Sequence, residues 1–143
     1  LISIPSSSAT RRAFGEANWR PSRCTLETGA EVGEALLAAE TLEAKGIAAE
    51  VINIHTIKPL DEKAILESVS KTGCIVTAEE HNIIGGLGES VARVLSLHKP
   101  TPQEFVGTND TFGESGTPAQ LMEKYGLNSV SIVSKAETVV KRK

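Results

Sequence analysis

The chain has 143 residues, with 15 Lys and Arg against 18 Asp and Glu for a formal charge of −3, a length that bounds it to about one domain. An apolar share of 40% beside 23% charged residues is enough for one core and too apolar for a chain kept unfolded by self-repulsion. The balance is slightly acidic and no apolar run approaches the ~18–20 residues of a spanning helix, so neither nucleic-acid binding nor a membrane span is expected.

Residues 1–12, LISIPSSSATRR, are rich in Ser and Arg and lack acids, a faint likeness to a transit peptide; an unstructured extension is the plainer reading. A first residue of Leu rather than Met suggests a chain cut from something longer. Cys24 and Cys74 lie far apart, with no Cys or His at metal-ligand spacing. That argues for free thiols in a reducing, cytoplasmic setting rather than a disulfide framework or a zinc site.

Regular patterning starts at Thr28. Thr28-Gly29-Ala30-Glu31 has capping-box spacing, and Val32, Ala35, Leu36, Ala39 and Leu42 recur at helical period, predicting a helix over about 30–45 that Lys45-Gly46 ends. Ala49 to Ile54 reads as a strand buried on both faces. Pro59-Leu60-Asp61 opens a second helix with Asp61 as cap and Leu60, Ala64, Ile65 and Val69 inward. After Gly73, Cys74 to Ala78 forms a second buried strand. The turn Ile83 to Gly88 leads into a third helix with Leu87, Val91, Val94 and Leu95 inward.

Gln103 to Val106 follows as a strand, after a turn fixed by Pro100-Thr101-Pro102. Gly116-Thr117-Pro118 starts a short helix burying Leu121 and Met122 and stopping near Tyr125-Gly126. Asn128 caps a last helix whose Val130, Val133, Ala136 and Val140 face in, and whose Lys141-Arg142-Lys143 suit the negative pole of the dipole. Strands alternating with helices at this spacing predict an α/β fold of three layers around a largely parallel sheet.

Open α/β sheets bind ligands beyond the carboxyl ends of their strands, which draws attention to His55, to Glu79-Glu80-His81 and to Asp110. Imidazoles and carboxylates suit proton transfer or metal ligation. Polar residues also gather at strand ends because the chain emerges into water there, and that plainer reading is preferred. Gly85, Gly86 and Gly88 precede a helix start, where free amides hold anions. A P-loop needs Lys-Ser or Lys-Thr after its last Gly, however, and here Glu89-Ser90 brings a carboxylate.

Thr28 to Gly33 misspaces the dinucleotide glycines, so tight packing or a partner surface is the expected use of the glycine-rich turn. Gly113-Glu114-Ser115-Gly116 is one residue short of a nucleophile elbow. Trp19, Tyr125, Phe14, Phe105 and Phe112 are too scattered to stack bases.

TGAEVGEALLAAETLEAKGIAAEVINIHTIKPLD, IVTAEEHNIIGGLGESVARVL and FVGTNDTFGESGTPAQLMEKYGL together resemble the C-terminal domain of transketolase. The likeness is greatest to the split form whose two sections are separate polypeptides. The same domain closes deoxyxylulose phosphate synthase and the beta subunits of 2-oxo-acid dehydrogenases. The likeness runs from about Thr25 onward and rests on Lys58-Pro59-Leu60-Asp61, Glu79-Glu80-His81 and Gly85-Gly86-Leu87-Gly88.

The resemblance implies a three-layer α/β/α domain with a mostly parallel sheet of about five strands and one antiparallel edge strand upstream of Thr25. Phe14-Gly15-Glu16-Ala17-Asn18 matches the start of that strand, but Pro21 makes Trp19 to Arg23 a poor continuation, and Glu27 stands where the family is apolar. Residues 1–23 are therefore expected as a poorly ordered or atypical extension or edge strand, and 24–143 as the domain itself.

For function, the resemblance implies two-carbon ketol transfer between sugar phosphates, in the pentose phosphate pathway, with thiamine diphosphate and Mg in the complete enzyme. The family holds them through a Gly-Asp-Gly motif in its first domain, and its activating glutamate lies in the second. Neither Asp61 nor Asp110 is followed by Gly. No catalytic, cofactor-binding or metal residue is therefore expected here, and the chain alone is expected to be silent. Its expected partners are the N-terminal part of a transketolase and, in the complete enzyme, a second copy in a homodimer. His55, Glu79, Glu80, His81, Gly85, Gly86, Gly88 and Asp110 form the candidate interface or ligand edge. A regulatory small-ligand or anion-binding module around His55, His81 and Gly86 is the rival reading, and an isolated binding domain a third.

Overall fold

The computed structural model describes residues 2–3, 9–13, 22–28, 32–109 and 117–143. In chain order the elements are β1 (Ile2–Ser3), β2 (Ala9–Ala13), β3 (Ser22–Thr28), α1 (Val32–Ala44), β4 (Ile47–Ile54), α2 (Glu62–Thr72), β5 (Ile75–Asn82), α3 (Leu87–His98), β6 (Gln103–Thr108), α4 (Pro118–Tyr125) and α5 (Ser129–Val140). The strands form one sheet in the order β1-β2-β4-β3-β5-β6. β3 pairs parallel with β4 and β5, and β5 parallel with β6.

Strand alternation supplies two cores. Val51 of β4 and Val76 and Ala78 of β5 pack with α1 and α5 through Ala38, Leu42, Ile132 and Val139. Ile52 and Ile54 of β4 and Ile75 of β5 pack with α2 and α3 through Ile65, Val69, Val91 and Leu95. Sheet residues one apart thus serve opposite layers, which is why apolar side chains stand next to one another along these strands. Each fully buried Leu, Ile or Val contributes about 1.5–3 kcal/mol.

The helix signals act locally as expected in most places. The Asp61 carboxylate accepts from Ala64 N at 3.0 Å, and Gly73 closes α2 at φ 74°. The Asn128 side chain accepts from Ser131 N at 3.0 Å. Thr117 and Gln120 form a reciprocal capping box at the start of α4, beyond the early Pro118 that the sequence offers as a helix start. The Thr28 to Glu31 box lies outside the described residues, apart from Thr28 at the end of β3.

Four expectations are refined or change. The described residues form a mostly parallel sheet of six strands, close to the five or so expected, and its antiparallel edge upstream of Thr25 holds two strands, β1 on β2 and β2 on β4. The strand beside β4 is Ala9–Ala13, from Ala9 opposite Ile54 to Ala13 opposite Glu50, while Phe14 to Asn18 lie outside the described residues. Strands near a sheet edge need no apolar run, so hydrophobic pattern is a poor guide to them. Val130 is 74% exposed, because the buried stripe of α5 runs through Ile132, Val133, Ala136 and Val139. Leu121 and Met122 are only half-buried.

α5 is tied down by charge at both ends. Ser129 N donates to Glu34 Oε2 at 2.6 Å, and Lys45 Nζ to Glu137 Oε1 at 2.5 Å. That hydrogen bond and its charge hold the Glu137 carboxyl below the usual range. Glu104 of β6 takes Lys135 at 2.9 Å and Arg142 at 2.5 Å. The Lys135 hydrogen bond first, with further help from Arg142, keeps the Glu104 carboxyl below its ordinary value. Arg142 also donates to the carbonyl of Gln103 at 3.1 Å, so the basic end of α5 serves the last strand of the described sheet as well as the helix pole.

Candidate functional site

The winding of the sheet reverses at β3. The chain passes through α1 to β4 on one side of β3, then through α2 to β5 on the other, which leaves a crevice beyond the carboxyl ends of these strands. A cavity of about 310 Å³ lies there, lined by His55 and Ile57 after β4, by Glu79, Glu80 and His81 of β5, and by Gly85 and Gly86. The structure thus brings together His55, Glu79, Glu80, His81, Gly85 and Gly86. Gly88 is instead buried against Phe105 and Thr77, and Asp110 lies outside the described residues.

β5 runs to Asn82, so Glu79-Glu80-His81 belong to the strand rather than following it. Glu79 continues the series Ile75, Thr77 toward the layer of α2 and α3, which sets it beneath the first turn of α3. It is only 6% exposed. Its carboxylate accepts from Leu87 N at 2.7 Å and Gly88 N at 3.0 Å, satisfying two of the donors a helix start leaves open and placing negative charge at the positive pole.

Three further amides of the turn are also taken. Gly85 N donates to Glu89 Oε2 at 2.9 Å, Ile84 N to Asn82 Oδ1 at 2.9 Å and Ile83 N to Thr108 O at 3.1 Å. The glycine-rich turn has the form of an anion cradle, and the chain's own carboxylates fill it.

Two of the glycines are required by close approach. A Cβ on Gly86 would lie 2.0 Å from Glu79 Oε2, and one on Gly88 2.5 Å from Phe105 Cδ1. Gln103 Nε2 reaches the carbonyl of Gly88 at 2.9 Å and Thr77 Oγ1 at 3.3 Å, so β6 also holds the start of α3. Gln103 and Phe105 were invisible as site residues in sequence because they come from a distant strand. Glu79 could have been picked out by its alternation with Ile75 and Thr77, a few residues before the glycines.

His55, Glu80 and His81 are exposed, and His81 Nδ1 lies 3.1 Å from Asn82 O. Among the described residues no group of three or more His, Cys, Asp or Glu is placed to hold a metal ion. Ile57 and Ile84 stand 42% and 58% exposed beside this crevice, apolar side chains outside the set of residues expected from sequence. Rigid backbone, two imidazoles and two bare isoleucines have the makeup of a contact surface with an apolar centre and a polar rim.

The sequence profile of the family described as "Transketolase, C-terminal domain" matches residues 23–132. A 6-deoxy-6-sulfo-D-fructose transketolase subunit of Clostridium sp. (strain MSTE9) is 52% identical over 118 residues, covering 82% of this chain and 37% of the relative. The 1-deoxy-D-xylulose-5-phosphate synthase 1 of Geobacter sulfurreducens is 39% identical over 120 residues, 82% of this chain and 19% of the relative. Among solved structures, one described as "Split gene transketolase, inactive beta4 tetramer" matches with a TM-score of 0.80 and 45% identity, over 85% of this chain and 40% of that one. The chain thus spans well under half the length of each of these relatives.

Proposed function

The chain belongs to the transketolase C-terminal domain family, and from that premise we propose that it is the non-catalytic C-terminal part of a transketolase, which folds against an N-terminal polypeptide that carries the chemistry. The observation that carries this reading is the state of the α3 start: Leu87 N and Gly88 N are bound to Glu79. A diphosphate brought to this turn would meet a buried carboxylate instead of free donors.

The described residues therefore do not fit thiamine diphosphate or its magnesium, and no step of ketol transfer is routed through them. In the complete enzyme both would be held outside this chain. Two relatives support the split arrangement, one named as a transketolase subunit and one as a split-gene transketolase whose beta4 tetramer is inactive. The exposed Ile57 and Ile84, with His55 and His81, are the surface through which the partner subunit would dock. The rigid turn would hold that surface in one shape, so that a site elsewhere is preorganised. A homodimer of the complete enzyme is part of the same proposal.

A deoxyxylulose phosphate synthase origin is less well supported, since the Geobacter relative is 39% identical against 52% for the transketolase subunit. The test is ketol transfer by the matching N-terminal polypeptide, assayed with thiamine diphosphate and magnesium, with and without this chain. Activity appearing only on mixing is expected. Full activity of the N-terminal polypeptide alone, or no activity and no complex on sizing, overturns the proposal.

A further inference from the structure

A second cavity, of about 430 Å³, opens between the carboxyl end of β6, the end of α4 and the first half of α5. It shares no lining residue with the crevice around Glu79, and its size falls within the roughly 300–1,000 Å³ of small-molecule sites. Ser131 and Ser134 line it, three residues apart on one helix, so their side chains stand on one face a turn apart. Among the described residues neither hydroxyl has a partner, although the backbone at both positions is bonded.

Lys135 lines the same cavity. Its ammonium bonds Glu104, which also holds Arg142. One carboxylate between two cations leaves this end of the cavity with a surplus of positive charge. The ring of Tyr125 and the backbone at Gly107 and Gly126 complete the walls.

We propose that this cavity binds a small hydroxylated anion of the phosphorylated-polyol type, with Lys135 facing the anionic group and the Ser131 and Ser134 hydroxyls bonding the ligand's alcohols. An apolar ligand would strip water from two hydroxyls and a charged pair without replacing it, leaving each of those groups unsatisfied. A cation would meet like charge. The start of α5 takes no part, because Asn128 and Glu34 already occupy its amides.

The test titrates the 143-residue chain with glycerol 3-phosphate, and separately with glycerol and with inorganic phosphate, following backbone amide chemical shifts. Saturable shifts centred on Gly107, Gly126, Ser131 and Ser134 are expected with the ester, and binding about tenfold weaker with either partial probe. The exposed face of α5 tolerates Ser131→Ala with Ser134→Ala, and that double variant should keep its spectrum and lose about tenfold in affinity. Lys135→Gln should abolish the preference for the ester over glycerol. No saturation by about 10 mM, shifts elsewhere in the chain, equal responses to ester and inorganic phosphate, or a double variant that binds like the parent each overturns the assignment.

Discussion

Replacing Glu79 tests whether an internal carboxylate holds the glycine-rich turn. In Glu79→Ala the amides of Leu87 and Gly88, bonded at 2.7 and 3.0 Å, lose their acceptor in a place that water scarcely reaches. Bonds to a charged group contribute about 1.5–3 kcal/mol, and losing a helix cap costs about 0.5–2 kcal/mol. The two figures describe overlapping events, so a total of roughly 2–4 kcal/mol is expected. Glu79→Gln keeps the volume and one acceptor but turns an NH₂ toward the second amide, and should cost less, about 1–2 kcal/mol.

Urea unfolding at pH 7 reads these differences. With an m-value of about 1–3 kcal/mol/M, the Ala variant should lower the midpoint by roughly 1–2 M with m unchanged. Hydrogen exchange at Leu87 and Gly88 should quicken by more than the global loss of stability explains. An Ala variant with the parent midpoint would refute the reasoning, and a Gln variant as unstable as Ala would show that the effect is packing rather than acceptor chemistry.

Gly88→Ala should cost about 1–3 kcal/mol by overpacking, since the new methyl would fall 2.5 Å from Phe105 Cδ1. Adding Phe105→Leu should recover part of that loss, and strict additivity in the double variant would count against the contact. Glu104 has a folded pKa lowered chiefly by the Lys135 hydrogen bond, so its contribution is complete above the unfolded carboxylate range and vanishes as pH falls through the folded value. Glu104→Gln should therefore lower the melting temperature at pH 7 and converge on the parent in acid; a constant gap between the two at every pH is the opposing result. His81→Ala and Ile84→Asp alter exposed side chains, so each should stay within about 0.5 kcal/mol of the parent stability while weakening the complex with the N-terminal polypeptide on sizing. Unfolding of either at room temperature would remove the interface role.

The parts of the fold legible in sequence are those whose cause is local. Asp61, Gly73 and Asn128 act within a turn of where they stand, and the short β-branched stretch with Val51, Ile52 and Ile54 is enough to assign a strand buried on both faces. Val130 was misplaced because a helix with apolar residues at 130, 132, 133, 136, 139 and 140 admits two phases, and only packing against α1 and β6 selects one.

The acidic run Glu79-Glu80 looked like a departure into solvent. Its first member is buried because α3, which begins eight residues later, returns over it with open amides. The tight packing expected of Gly88 is there, but the ring it answers, Phe105, stands on another strand. Six of the eight candidate residues line one crevice, while the feature that decides its chemistry lies in contacts across the sheet.

Arg142 bonds the carbonyl of Gln103, and this has a consequence for solubility. β6 is the outermost described strand on its side of the sheet, and a bare outer strand is a template on which a neighbouring molecule can add its own. A guanidinium bonded to that backbone, with Lys135 alongside on Glu104, sets fixed positive charge where an incoming chain would have to lie. Arg142, just past the end of α5, would thus guard against fibrillar stacking, and neutralising it should be felt first as aggregation during expression rather than as lost folding.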